Sequence, residues 1–552
     1  MQCFDTVRRT GARLMTVPLP ETAASVQSRP WFVLPARPSG RALWARAGLF
    51  AVWLMVVALL VSQHVFWRDE VRAFSLALQG DSLIAMARGV QGEGHPALWY
   101  ILLRLAHMVV PVREVLPGVA AAIGIVGAAI LTFRAPFRLW FVAIVLFGAF
   151  GLFEFVVMAR NYGISMVVLF AIALAYDRGR DRGILLGLLL LALCNTNAQA
   201  IFFAGGILLF WLVEIVCAHG LRPNRAWREW AVAAALTLIG VVLCAVTVYP
   251  PFNDAAVSPR SEALSVGLIV QSMLSVAAPF GDLMPDMLKW IPGIAVLLGL
   301  LMMGSVLSLI RTPAGLLSGV VVLVALLLFF QLVYPGSYRH QALFLVFVMT
   351  IHWLVAQGHG GRWPGDGTAF RLMEGIGQGA FVVLLALQLL TSYDILAGAA
   401  RGVPFGRAAD LAALIHRRGL DDATVMADPD VMVEALPYYA DNPIWMVREH
   451  KFGRVVRFTR HAQIHLTAGD LLHTAQDLRR MRGKPVVIVI QRRMNPDAPA
   501  FRERAGYVGS YSSTPEQVRA FLDATTRIAV LRPARTDEDY AVYLLKDPVT
   551  GS

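Results

Sequence analysis

Apolar runs of about 18 to 20 residues recur along the first 400 positions, separated by short polar connections. This is the pattern of a chain that crosses a bilayer repeatedly. Eleven spans are expected, at residues 47–66, 114–133, 138–157, 161–176, 183–198, 199–218, 229–249, 291–310, 314–334, 340–357 and 374–394. After residue 394 the apolar runs shorten to strand length in "TVMA", "PVVIVI", "RIAVL" and "YAVYLL". Helical patterns such as "ADLAALIHRRG" and "TPEQVRAFLDA" lie between them, which predicts a small α/β domain over 395–552.

The charges fix the sidedness of this scheme. Residues 1–46 carry seven Arg against one Asp and one Glu, and read as a cytoplasmic tail rather than a cleaved signal. With the amino terminus inside, the cytoplasmic connections become "RAPFR", "YDRGRDRG", "HGLRPNRAWRE", "IRTP" and "GHGGRWPGDGTAFR", nearly all of them Arg-rich as the positive-inside rule expects. One more span before residue 134 would move the later basic loops outside. Residues 67–113 therefore form an external loop. Its segments "FSLALQGDSLIAMARGV" (74–90) and "HPALWYILLRLAHMVV" (95–110) are expected as amphipathic helices in the outer interface. A second external segment, 249–290, contains "SVGLIVQSMLSVAAPF" (265–280), a further interfacial helix by the same pattern. An odd number of spans places the α/β domain outside as well, as a cap over the membrane face.

Composition agrees. The 552 residues are 57% hydrophobic and 16% charged, with mean hydropathy +0.60. A soluble protein of this size could not bury so much apolar surface. The net charge is +12, and 45 of the 49 basic residues are Arg. A nucleic-acid partner would account for that balance, but basic loops on one membrane face account for it better. The Arg bias suggests a GC-rich bacterial genome and so a bacterial inner membrane, with the α/β domain periplasmic. Cys3, Cys194, Cys217 and Cys244 show neither zinc spacing nor a disulfide framework. No G-x-G-x-x-G loop occurs in the α/β region.

The topology collects polar side chains from separate connections on the outer side. Asp69 and Glu70 follow the first span, with His95 later in the same loop. Glu154, Arg160, Asn161 and Tyr162 lie in "FEFVVMARNYG". Asn195, Thr196, Asn197 and Gln199 form the tight turn between the fifth and sixth spans, and Tyr338, Arg339 and His340 lie in "YPGSYRHQ". A carboxylate at a membrane edge can take a proton from a hydroxyl nucleophile. Arg and His beside it can bind a phosphate leaving group. Such a set suits a substrate whose tail stays in lipid. Each residue also has a structural reading: Asp69–Glu70 as a helix cap, Arg160 and Arg339 as snorkelling anchors, and His95 and His340 as packed histidines. Glu154, ionisable within an apolar run, is a functional candidate by position. Glu214, in "WLVEIVCAHG", reads as an anchor.

An acidic pair after the first span, then "GHPALWYILL", then "FEFVVMARNYG", resembles the polyprenyl-phosphate-dependent glycosyltransferases of the GT-C type, which include the protein O-mannosyltransferase and aminoarabinose (lipid A) transferase families. The resemblance covers about residues 45–345. It implies a GT-C fold with interfacial helices in the first external loop. It also implies transfer of one sugar from a polyprenyl-phosphate donor to a hydroxyl on lipid A, a glycolipid, a glycan or a protein, with inversion. By that resemblance Asp69 is the catalytic base, Glu70 its companion and Glu154 a second acid. Arg160 and Arg339 hold the donor phosphate with Tyr162, Tyr338, His340, His95 and Asn197 around it. No cofactor is required. A divalent cation, Mg or Mn, is possible if Asp69, Glu70 and Glu154 converge. A transporter or flippase is the alternative of another class, and a membrane scaffold a third. The polar groups gather at one face and no repeat relates the halves, which disfavours transport.

Overall fold

The computed structural model describes residues 30–34, 38–249, 278–363, 367–459, 461–497, 501–505 and 509–547. The Arg-rich stretch before residue 30, and the expected interfacial helix 265–280 except its last three residues, lie outside them. Those last three belong to a 3-10 turn, Ala278–Leu283.

A helical body comes first. Helix α1 is Arg41–Gln63. Three short helices follow, α2 Arg68–Ala77, α3 Leu83–Val90 and α4 Leu98–Val109. Then come α5 Val115–Arg134, α6 Leu139–Phe147, α7 Tyr162–Asp181, α8 Gly183–Cys194, α9 Ala200–His219 and α10 Arg225–Val248. The body closes with α11 Ile294–Leu307, α12 Pro313–Leu332, α13 Tyr338–Ala356 and α14 Thr368–Ala400. A helix stands at each of the eleven expected span positions. Eight of them are long and apolar enough to cross a membrane, among the described residues. The exceptions are α6, α8 and α11, of 9, 12 and 14 residues. At 1.5 Å per residue, 12 residues cover about 18 Å of a hydrocarbon layer of about 30 Å. The protein is thus a polytopic α-helical membrane protein, with eight spans rather than eleven supported by length.

Helix α13 sits at the centre and is buried without interruption from His340 to Leu354. That is the signature of a helix enclosed by neighbours on every side. Helices α1 and α10 lie outside, with Met55, Leu59, Leu238, Val242 and Val246 exposed as lipid would require. Helix α14 continues to Ala400, past the expected limit of 394.

The third expected span is not one helix. Helix α6 stops at Phe147, and Gly148 turns into extended backbone. A π turn follows at Phe150–Glu154, and the chain stays irregular until α7. A side chain at Gly151 would collide with the Val145 carbonyl, so only glycine fits this tight path. The irregular segment is packed into a notch: a Cβ on Gly163 would lie 2.6 Å from the Phe155 carbonyl. Irregular backbone at membrane depth survives only when enclosed by protein, and Phe155 to Arg160 are all buried.

The loop between α1 and α5 also departs from expectation. The helix expected over 74–90 is two helices, α2 and α3, and α2 begins at Arg68, so Asp69 and Glu70 lie in its first turn. The α/β domain contains α15 Ala408–Arg417, α16 Ala468–Arg482 and α17 Pro515–Ala524. Its strands are β1 Thr424–Asp428, β2 Ile444–Met446, β3 Lys451–Phe452, β4 His465–Leu466, β5 Val486–Ile490, β6 Phe501–Ala505, β7 Gly509–Ser513, β8 Thr525–Leu531 and β9 Tyr540–Leu545. Six form one mixed sheet in the order β3-β2-β1-β5-β9-β8, and β4-β7-β6 form a second. In β1 and β5 alternate side chains pack on opposite faces. Val425, Ala427, Val487 and Val489 meet Leu411 and Ile415, while Met426, Ile488 and Ile490 meet Leu471 and Leu478. Both faces are covered, as parallel strands require.

Candidate active site

The break after α6 delivers Ala159 and Arg160 to the start of α2, where the two segments grip each other. The Glu70 carboxylate accepts from the Ala159 N–H at 2.6 Å, from the Trp67 N–H at 2.8 Å, and contacts His64 Nε2 with both oxygens at 3.0 Å. It is fully buried. Glu70 thus caps the start of α2 from its third residue, satisfying the Trp67 amide, which has no partner within the helix. The acidic pair divides its work: Glu70 is a fastening, with both oxygens committed, and Asp69 is the open acid.

Asp69 keeps one third of its side chain exposed. Its carbonyl accepts from Arg160 Nη1 at 2.6 Å, and its carboxylate stands 3.8 Å from Arg160 Nη2. Burial works to raise the Asp69 pKa. The guanidiniums of Arg160, Arg68, Arg339 and Arg72 outweigh it and hold the group below the usual aspartate value. Asp69 is thus ionised at neutral pH.

His95 Nε2 lies 2.8 Å from Arg160 Nη2. A guanidinium can only donate, so this ring nitrogen accepts and the proton sits on Nδ1. Burial, then Arg160, Arg339 and Arg72, lower the His95 pKa well below the ordinary value. His95 is a neutral orienter of Arg160. Beneath it, Asn161 Nδ2 donates to the Thr196 carbonyl at 2.6 Å and to Asn197 Oδ1 at 2.7 Å, and Asn197 Nδ2 donates to Ser165 Oγ at 2.7 Å. Asn197 is fully buried and ties the start of α7 to the turn before α9.

Arg339 stands over the rings of Trp67 at 5.0 Å and Tyr162 at 5.9 Å. Its Nε is 3.8 Å from Glu154 Oε2. Among the described residues, Arg160 Nε and Arg339 Nη1 are buried donors with no hydrogen-bond partner. Two guanidiniums beside an ionised acid, each with an N–H in hand, form an anion-binding frame. His340 takes both the Ser337 N–H and its hydroxyl on Nδ1, at 3.1 and 2.9 Å, and reaches the Tyr162 hydroxyl with Nε2 at 2.8 Å. It fixes Tyr162 at the base of that frame. Tyr338 points elsewhere and donates to Gln388 of α14 at 2.8 Å.

The expected set is therefore gathered in part. Asp69, Arg160, His95, Tyr162 and Arg339 meet, with His340 and Asn197 behind them. Tyr338 belongs to helix packing, and Glu154 pairs with Arg339. The described residues contain no metal-binding group of three His, Cys, Asp or Glu.

Sequence reasoning missed Trp67, which packs against Arg339, and the arginines Arg68 and Arg72 of "WRDEVR". Their spacing about Asp69, one before and three after, was the available signal. It also passed over a second cluster at the opposite end of the bundle. There Glu214 accepts from the Tyr176 hydroxyl and the Gly360 N–H, both at 2.7 Å, with Arg180 at 3.5 Å and His359 at 3.4 Å. Glu214 is a hub rather than a simple anchor.

No family model and no curated protein sequence matches the chain. Among solved structures it is similar to the crystal structure of ArnT from Cupriavidus metallidurans bound to undecaprenyl phosphate. The two share 13% identity at a TM-score of 0.42, over 92% of this chain and 99% of that one.

Proposed function

We propose that the protein is a GT-C type membrane glycosyltransferase that moves a sugar from a polyprenyl-phosphate donor to a hydroxyl acceptor. The observation that carries this reading is the partly open, ionised Asp69 set 3.8 Å from Arg160 and flanked by Arg339. Helices α3 and α4, in the same loop as Asp69, expose Leu83, Ile84, Met108 and Val109. An apolar surface beside an anion frame suits a donor whose phosphate is polar and whose tail is lipid.

Asp69 takes the proton from the acceptor hydroxyl as that oxygen attacks the anomeric carbon. The new C–O bond forms as the bond to the donor phosphate breaks. The phosphate leaves with the electron pair as polyprenyl phosphate, and Arg160 and Arg339 neutralise its growing charge. Attack opposite the leaving group inverts the anomeric centre. His95, Glu70, His340 and Asn197 hold the groups that act. The site lies on the periplasmic face of a bacterial inner membrane, with the amino terminus cytoplasmic. The acceptor is a hydroxyl of lipid A, a glycolipid, a glycan or a protein.

The test is sugar transfer from a labelled polyprenyl-phosphate sugar by full-length protein in nanodiscs. Asp69→Asn is expected to lose about 10²- to 10⁴-fold in kcat. Wild-type turnover by a folded Asp69→Asn variant would overturn the assignment.

A further inference from the structure

The chain enters α2 through three successive backbone N–H groups. The N–H of Trp67 is taken by Glu70 within the same turn. The N–H groups on either side are taken by the α/β domain. The Tyr439 hydroxyl accepts from the Phe66 N–H at 2.8 Å, and Glu538 Oε1 accepts from the Arg68 N–H at 2.7 Å. Asp537 receives the Arg68 guanidinium on both oxygens, at 2.7 and 3.0 Å. One turn later Arg72 reaches Glu434 at 2.5 Å and the Val456 carbonyl at 2.7 Å. Asp69 thus sits between two arginines that are both anchored in the α/β domain.

The Glu538 socket is tight. Its side chain is 1% exposed. Gly406, in the linker after α14, packs so closely that a Cβ there would lie 2.6 Å from Glu538 Oε2. Water has little access to the Arg68 N–H once that carboxyl is in place. Removing the carboxyl strands a helix-start amide that α2 cannot satisfy itself.

We propose that Glu538, assisted by Tyr439 and Asp537, is a positioning residue for Asp69, so that the α/β domain completes the first turn of α2 instead of merely covering the membrane face. The kinetic consequence rests on the transfer reaction proposed above; the structural consequence does not. A shift of about 1 Å in a reacting group can cost about 100-fold in rate, and Asp69 is the residue next to the amide that Glu538 holds.

The test compares Glu538→Ala with Glu538→Gln in the full-length protein in nanodiscs. Gln keeps an acceptor oxygen for the Arg68 N–H, and Ala does not. Amide hydrogen exchange over residues 66–72 is expected to quicken at least about tenfold in the Ala variant and to stay near wild type in the Gln variant. In the donor assay, kcat is expected to fall about 10- to 100-fold for Ala, with the donor KM within about twofold and most of the rate restored by Gln. Tyr439→Phe, which removes the acceptor for the Phe66 N–H, is expected to quicken exchange there. Wild-type exchange and wild-type kcat in Glu538→Ala would overturn the proposal, and so would equal losses in Ala and Gln. If Glu538→Ala fails to fold, unchanged exchange in Tyr439→Phe overturns it instead. Absence of sugar transfer by the wild-type protein would strike the reaction alone, because exchange over 66–72 still decides the positioning role.

Discussion

Glu70 and Ala159, far apart in sequence, are joined by a 2.6 Å bond from the Ala159 amide to the Glu70 carboxylate. The neighbouring residues return the bond, with Arg160 donating to the Asp69 carbonyl at 2.6 Å. The dipeptides 69–70 and 159–160 are thereby locked crosswise, and the two acids beside each other acquire opposite tasks.

Glu70→Ala strands the Trp67 and Ala159 N–H groups, each at about 1–3 kcal/mol for a buried amide without an acceptor. Thermal unfolding in detergent is expected several degrees below wild type. Asp69→Asn, which leaves those bonds intact, is expected to unfold near the wild-type midpoint while losing transfer. Equal destabilisation by the two variants would refute this division of labour.

Glu154 lies beside Arg339 and offsets part of its charge. Glu154→Gln is expected to lower the donor KM severalfold at low salt, with kcat changed by less than about fivefold, since kinetic parameters divide binding from chemistry. A kcat loss of a hundredfold or more would instead make Glu154 a second base. Arg339→Ala is expected to raise the donor KM about tenfold or more and leave the acceptor KM nearly unchanged.

Two carboxyls of the interdomain contact respond to pH. Burial pushes Glu434 up to about 7 in spite of Arg72. It pushes Glu538 to about 8 in spite of Arg68. A carboxyl whose pKa is raised above its ordinary value of 4.5 holds its proton more tightly when docked. The docked state is therefore favoured at low pH, and that advantage is lost as pH rises from about 4.5 through 7 to 8. Limited proteolysis of the linker at residues 401–407 is expected to be faster at pH 8.5 than at pH 5.5, and Glu538→Gln should flatten the difference. Equal cleavage rates at both pH values in the wild type would contradict this.

Gly163→Ala would press a methyl against the Phe155 carbonyl. The irregular segment carrying Ala159 and Arg160 must then shift. Donor binding is expected to weaken by at least about tenfold, read from the donor KM, whereas Gly205→Ala, which meets nothing within 4 Å, should behave as wild type.

Much of this architecture was legible because hydropathy reports position along the membrane normal. The helix positions, the gathering of Asp69, Arg160 and Arg339 at one end of the bundle, and the strands β1, β5, β8 and β9 all rest on that signal or on strand alternation. Hydropathy is blind to backbone path, so "FGAFGLFEF" looked like uninterrupted helix although Gly148 and Gly151 break it. The strands β2, β3 and β4, of two or three residues, are too short to carry a period. Pairings such as Arg72 with Glu434 and Arg68 with Glu538 span 362 and 470 residues, and no local pattern encodes them. Glu70's role was not legible either, because the residue three before it is Trp67, which lacks the side-chain acceptor that marks a capping box.

The Glu538–Arg68 contact also orders events in time. A chain is made and inserted from its amino end, so α2 reaches the membrane long before its last anchor has been synthesised. Until residues 537 and 538 arrive, Arg68 and the amide beside Asp69 lack the partners that hold them. The first turn of α2 is consequently completed only after most of the chain has been made, and chains that stop before residue 537 lack the partners of Arg68.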